Sequence, residues 1–282
     1  MTVPAVGEIT LRDGAALPRV GFGVFLVPQA ETAPAVAAAL EAGYRAVDTA
    51  AAYRNEREVG EAVRASGLPR EEIFVTTKCF NTDHGYEEAR RACHESLERL
   101  DVGPVELYLI HWPVPAQDRY VETWRAFIDL RDEGLVRSIG VSNFLPAHLE
   151  RLIAETGETP AVNQVELHPR FPQADLRRVH ADLGIATAAW SPLARGALLE
   201  DPVIGAIARE HGRSPAQVVL RWHRQLGNAV VVKSVTPSRI RENLDVLDFE
   251  LSDEQLDAIS GLDTATRIGP DPETFSRPPA AH

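Results

Sequence analysis

Asp48, Tyr53, Lys78 and His111 are the four residues of this chain whose types and spacing could act together on a substrate. Asp48 ends the run Arg45-Ala-Val-Asp, and Tyr53 follows five residues later. Lys78 ends Ile73-Phe-Val-Thr-Thr-Lys, and His111 ends Val105-Glu-Leu-Tyr-Leu-Ile-His. If these apolar runs are parallel strands, their exits lie on one face, and a carboxylate, a phenol, an ammonium and an imidazole meet there. That set suits proton donation to a carbonyl oxygen. Adding hydride to a carbonyl carbon builds negative charge on the oxygen, but a free tyrosine, with a pKa of about 10, is poorly matched to neutral pH. A lysine cation favours the phenolate, and a carboxylate keeps that lysine charged. Two unit charges about 4 Å apart interact by roughly 4 kcal/mol at an effective dielectric near 20, so the Tyr53 hydroxyl is expected to fall by roughly one or two pH units. His111, as a neutral imidazole, would donate to the same oxygen.

The strands that must position these groups are legible as apolar runs. Eight are found: Val20–Phe25, Arg45–Thr49, Ile73–Lys78, Glu106–His111, Arg137–Ser142, Ala161–Glu166, Ile185–Trp190 and Ala229–Lys233. Helical stretches rich in Ala, Leu, Glu and Arg separate them, among them Thr32–Gly43, Glu56–Ser66, Tyr86–Leu100, Arg119–Glu133 and Pro146–Thr156. Ala89, Cys93, Leu97 and Leu100 recur at helical spacing, and Ser214-Pro215 opens a further helix. Strands that are apolar throughout, each followed by a helix, predict a parallel sheet covered by helices. The expected fold is therefore α/β, a (β/α)8 TIM barrel in one domain over residues 1–282. An N-terminal β-hairpin turning at Asp13-Gly14 precedes it, and two extra helices lie near Pro202–His211 and Ser252–Gly261. A doubly wound sheet is the rival. Its phosphate-binding glycines begin at Gly21-Phe-Gly23, but Leu26 stands where the third is required.

Bulk composition narrows the function classes. A net charge of −12 opposes a general nucleic-acid binder. No apolar run approaches the roughly 20 residues of a membrane span, and Met1–Thr10 lacks the basic and apolar regions of a signal peptide. Two cysteines, Cys79 and Cys93, are too few for a disulfide framework. The nine histidines include no His-Glu-x-x-His zinc motif, so no metal is expected. Gly140-Val-Ser-Asn-Phe lacks the last glycine of a nucleophile elbow. The expectation is a cytoplasmic protein without nucleic-acid or membrane partners, working as a monomer.

The cofactor has two sets of candidates. Lys233-Ser-Val-Thr-Pro-Ser-Arg239-Ile-Arg-Glu-Asn243 is a basic, hydroxyl-rich turn entering a helix, which suits a phosphate. Ser142-Asn143, Gln164 and Trp190-Ser191 end the fifth, sixth and seventh strands, where an indole could press on a flat ring.

The run Gly43-Tyr-Arg-Ala-Val-Asp-Thr-Ala-Ala-Ala-Tyr-Arg-Asn-Glu-Arg-Glu-Val-Gly60 resembles the first signature of the aldo-keto reductase family, and in particular the bacterial branch that contains 2,5-diketo-D-gluconate reductases. The resemblance extends from about Glu8 to Phe275. It implies a catalytic tetrad of Asp48, Tyr53, Lys78 and His111, with Tyr53 as general acid. It also implies that Ser142, Asn143 and Gln164 bond a nicotinamide carboxamide while Trp190 stacks on the ring. Lys233, Ser234, Arg239 and Asn243 would hold the adenosine part, the two cations favouring a 2′-phosphate and hence NADPH. Ser191, Leu193, Val235 and Glu242 complete the expected cofactor grip. Many relatives carry tyrosine at Trp190 and proline at Val232, neither of which removes a named ligand.

Phe22, Phe80, His111 and Trp112 are the expected substrate contacts, with Ile268–Phe275 as a further wall and Asn81 and His84 as polar partners. The short connection Pro113–Arg119 implies an open pocket. The reading is an NADPH-dependent reductase of aldehydes, ketones or sugar-derived dicarbonyls. The alternative is a cofactor-sensing module on the same barrel, like potassium-channel β-subunits. Lys78 as a Schiff-base former is a second enzymatic rival, opposed by Asp48.

Overall fold

Period-two alternation along the strands decides which side chains enter the barrel and which meet the helices, and two separate apolar clusters record that division. The computed structural model describes residues 7–276; Met1–Val6, part of the stretch read for a signal peptide, and residues 277–282 lie outside them. A hairpin of β1 (Glu8–Thr10) and β2 (Ala16–Pro18) comes first. The barrel strands are β3 (Val20–Gly23), β4 (Ala46–Asp48), β5 (Phe74–Cys79), β6 (Val105–Ile110), β7 (Val136–Ser142), β8 (Val162–Glu166), β9 (Ala186–Trp190) and β10 (Ala229–Val232). They pair in parallel in chain order, and β10 closes the ring against β3. The fold is the expected (β/α)8 barrel with its N-terminal hairpin.

The helices are α1 (Gln29–Ala42), α2 (Glu56–Ala65), α3 (Tyr86–Leu100), α4 (Tyr120–Asp132), α5 (Pro146–Thr156), α6 (Ala174–Leu183), α7 (Pro202–His211), α8 (Pro215–Gln225), α9 (Pro237–Leu244) and α10 (Asp253–Ser260). α7 and α10 are the two extra ones. Ser214 caps α8 as expected: its hydroxyl accepts from the Gln217 amide while the Gln217 side chain accepts from the Ser214 amide. α6 gave little signal in the sequence because only Leu176 and His180 of its ten residues are buried.

Leu11, Ala15 and Leu17 of the hairpin region pack with Ala46, Phe74, Leu107, Leu109 and Val162 in one cluster. These residues seal the N-terminal end of the barrel. Val47, Val75, Tyr108, Ile110 and Val165 alternate with that set and join the larger cluster between barrel and helices. Continuing the inward series along each strand gives Asp48 after Ala46, Lys78 after Phe74 and Thr76, and His111 after Leu107 and Leu109. An apolar floor therefore carries the polar groups above it. Among the described residues no helix is long and apolar enough to cross a membrane.

Candidate active site

Lys78 is fully buried, and its Nζ donates to Asp48 Oδ1 at 2.5 Å and to the Thr49 carbonyl at 2.9 Å. The ammonium stands 5.1 Å from the Tyr53 ring centroid. Tyr53 closes the short 3-10 turn Ala51–Tyr53 that follows β4, which carries the phenol back over the strand ends. Its ring meets His111 edge-on at 5.6 Å and Phe25 at 5.0 Å. The backbone amide of His111 donates to the Cys79 carbonyl at 3.1 Å, which ties the exit of β6 to that of β5. The four residues singled out in the sequence are together at one mouth of the barrel.

Their electrostatics depart from the expectation in one respect. Burial holds the Tyr53 hydroxyl above the ordinary phenol value; Lys78 pulls it down, Asp48 pushes it up, and the net direction is upward. The lowering read from the sequence is overturned because desolvation of the phenolate outweighs the nearby cation. Burial alone would depress Lys78, but Asp48 and Tyr53 raise it above its ordinary value, so it is a held cation and a poor Schiff-base amine. His111 is pushed well below the usual histidine value by burial, Lys78 and His84, which keeps the imidazole neutral.

Asp48 should be needed to keep that cation inside. Its Oδ1 pairs with Lys78 and its Oδ2 accepts from Gln164 Nε2 at 2.7 Å. Asp48→Ala is expected to destabilise the fold by about 3–5 kcal/mol in urea unfolding, because an uncompensated ammonium stays buried. The double variant Asp48→Leu/Lys78→Met should recover most of that loss without recovering turnover. A loss below about 1 kcal/mol in the single variant would show that the pair behaves like an exposed one.

The residues expected from the sequence to hold a ring are coupled to the same groups. Ser142 Oγ donates to the Gln164 carbonyl at 2.7 Å, and Asn143 Nδ2 donates to the His111 carbonyl at 2.9 Å. Trp190 Nε1 donates to Asn143 Oδ1 at 2.8 Å, leaving the indole partly exposed at the strand end. Asn143 and Ser191 both adopt left-handed backbone (φ 64 and 51), which turns the chain sharply at the exits of β7 and β9. Leu193 lies half-buried just beyond. At the start of α9, Lys233, Val235 and Arg239 are exposed, Ser234 and Glu242 are half-buried, and Asn243 is buried. Among the described residues neither Lys233 nor Arg239 makes an ion pair. Two unengaged cations at a helix N-terminus can hold a phosphate.

The pattern of the aldo/keto reductase family matches residues 20–264. The chain belongs to the aldo/keto reductase family. As a member it is an oxidoreductase. An aldo-keto reductase of Mycolicibacterium smegmatis is 59% identical over 269 residues, spanning 95% of this chain and 98% of that protein. The crystal structure of an aldo/keto reductase from Brucella melitensis is 53% identical with a TM-score of 0.89, covering 93% of this chain and 99% of that one. A mutant of Gox0644 solved in complex with NADPH is 47% identical with a TM-score of 0.93, covering 96% and 99%.

In this aldo/keto reductase the expected substrate wall is only partly assembled. Phe22 is 1% exposed and meets Tyr44 edge-on at 5.7 Å in the layer between barrel and helices. It is therefore corrected from a pocket residue to a core residue, since Gly21 and Gly23 on either side of it take the inward parity. Phe25, which the sequence reading passed over, packs on Tyr53 and remains 45% exposed at the mouth. Phe80 contacts His111 at 5.9 Å, while Trp112 lies against Phe275 at 4.5 Å and Trp190 at 6.5 Å. Asn81 and His84 are buried behind this wall, with no hydrogen-bond partner for their side chains among the described residues. Glu166, the last residue of β8, is a further inward-facing charge that was not singled out.

Proposed function

We propose that this chain reduces a small carbonyl compound to an alcohol with NADPH, with Tyr53 giving the proton. The observation that carries the reading is the buried Lys78–Asp48 pair directly beneath a half-buried Tyr53 that faces a neutral His111. The cofactor fits the residues present. Lys233 and Arg239 would hold the 2′-phosphate, Asn143 and Gln164 the carboxamide, and Trp190 the nicotinamide face. When bound, NADPH supplies hydride to the carbonyl carbon.

The chain's own groups do the rest. Burial keeps Tyr53 protonated at rest, so a proton is ready when charge builds on the substrate oxygen. Lys78, fixed by Asp48 and the Thr49 carbonyl, stabilises the phenolate left behind. His111 can donate to the substrate oxygen from a ring nitrogen without carrying a charge that would compete with Lys78. All four groups come from one chain, in keeping with a monomeric working unit. The free, buried thiols Cys79 and Cys93 suit a reducing, cytoplasmic setting.

NADPH absorbance followed with methylglyoxal, an aromatic aldehyde and 2,5-diketo-D-gluconate tests the reading. Turnover of at least one is expected. NADPH binding without turnover of any would favour the cofactor-sensing alternative. Arg239→Ala is expected to weaken NADPH binding by roughly 10- to 100-fold while changing NADH binding less than about threefold. Equal losses for the two nucleotides would remove the 2′-phosphate assignment.

A further inference from the structure

Glu166 ends β8 with its side chain fully buried, directly beside Trp190 in the strand register. Its Oε1 accepts from the Ile268 amide at 2.5 Å and from His168 Nε2 at 3.1 Å, while its Oε2 accepts from the Gly269 amide at 2.8 Å. Burial would raise this carboxyl, yet His168 and the two amides hold it below the ordinary glutamate value, so it remains an anion. Charge-assisted bonds in a desolvated position are among the stronger polar contacts a fold can make. Here they hold a C-terminal tail and not a neighbouring strand.

Gly269 is required by the same contact. A Cβ at that position would overlap Trp190 Cη2, stand 3.2 Å from Cζ3 and lie 2.8 Å from Glu166 Oε2. The backbone of the tail thus rests on the outer edge of the indole. From there the chain runs on to Glu273, whose carboxylate lies 3.4 Å from His148 Nε2, and to Phe275, which lies on Trp112 next to His111. Upstream, the amides of Thr264 and Thr266 both donate to the Arg170 carbonyl at 3.2 Å, which leads the tail back to the exit of β8.

We propose that Glu166 is a positioning residue for the carbonyl substrate: it latches Ile268 and Gly269 against Trp190 and thereby fixes the tail that brings Phe275 onto Trp112. The carboxylate acts through the tail and touches neither substrate nor cofactor. A strand-end charge that would otherwise be costly to bury becomes the anchor for a wall built from the far end of the chain. The inference rests on the reading of this cleft as a carbonyl reductase site.

Glu166→Gln tests it, since the amide has nearly the same shape but can accept only one of the two backbone bonds. Amide hydrogen exchange across residues 264–276 should accelerate by roughly 10- to 100-fold. The KM for methylglyoxal should rise about tenfold with kcat changed by less than about threefold. Gly269→Ala, which leaves the carboxylate in place, should produce both effects through the indole edge. The double variant should be no worse than the stronger single one, because both act on one contact. A lowered melting temperature with wild-type tail exchange and wild-type KM would overturn the proposal, as would additive effects in the double variant. Tail exchange needs no turnover. A wild-type protein inactive on every carbonyl but showing the exchange change in Glu166→Gln would refute the reaction and leave the latch standing.

Discussion

Tyr53→Phe is expected to lower kcat for carbonyl reduction by roughly 10³- to 10⁴-fold while leaving the NADPH dissociation constant within about twofold of wild type. The phenyl ring preserves the edge contact to His111 and the packing on Phe25, so the mouth keeps its shape. What disappears is the only phenolic proton among the four grouped residues. His111 cannot replace it easily. Its pKa is held well below the ordinary value, so almost none of it is protonated at neutral pH. Lys78 is equally unsuited, because giving up its proton would leave Asp48 facing a neutral amine in a site that favours the cation. The measurement is single-turnover NADPH oxidation alongside a fluorescence titration of NADPH. Activity within tenfold of wild type would transfer the acid role to another group.

The size of that effect depends on a feature the sequence could show only in part. The types and spacing of Asp48, Lys78 and His111 placed them at strand ends, and strict alternation then put them inside the barrel above Ala46, Phe74 and Leu109. The same alternation, applied to Val20–Gly23, would have turned Phe22 away from the pocket. The sign of the Tyr53 shift was not legible, because it depends on how far desolvation outweighs one cation, and desolvation is a property of the whole packed mouth. The contact between Glu166 and Gly269 was hidden for a different reason. It joins residues 103 positions apart through backbone amides, which carry no side-chain signature. A glutamate ending an apolar run was the one available sign, identical in kind to the one that marked Asp48.

Acidification should unfold this protein cooperatively between about pH 6 and pH 4.5, because several buried histidines are held neutral. Burial pushes His180 down to about 4, and burial together with Arg119 does the same to His84. Burial lowers His223 to about 3, and His111 is also well below its ordinary value. For His180 the geometry shows why. Asn163 Nδ2 donates to its Nε2 at 2.9 Å, with that amide fixed by a second bond to the Phe144 carbonyl, while Nδ1 faces Thr187 Oγ1 at 2.8 Å. A proton on Nε2 would confront another donor. The unfolded chain binds its histidine protons near pH 6.5 and the folded chain only near 4 or below, so stability is whole above 6.5 and drains away as the pH falls beneath it. At pH 4.5 each such histidine costs roughly 2–3 kcal/mol, and His84, His180 and His223 together reach roughly 8 kcal/mol, comparable with the whole stability of an ordinary domain. Urea midpoints should hold level from pH 7.5 to about 6.5 and fall steadily from there to 5.0, and His84→Gln should reduce that slope by about one proton's worth. A midpoint that is flat over this range would mean that these imidazoles take up protons inside the fold.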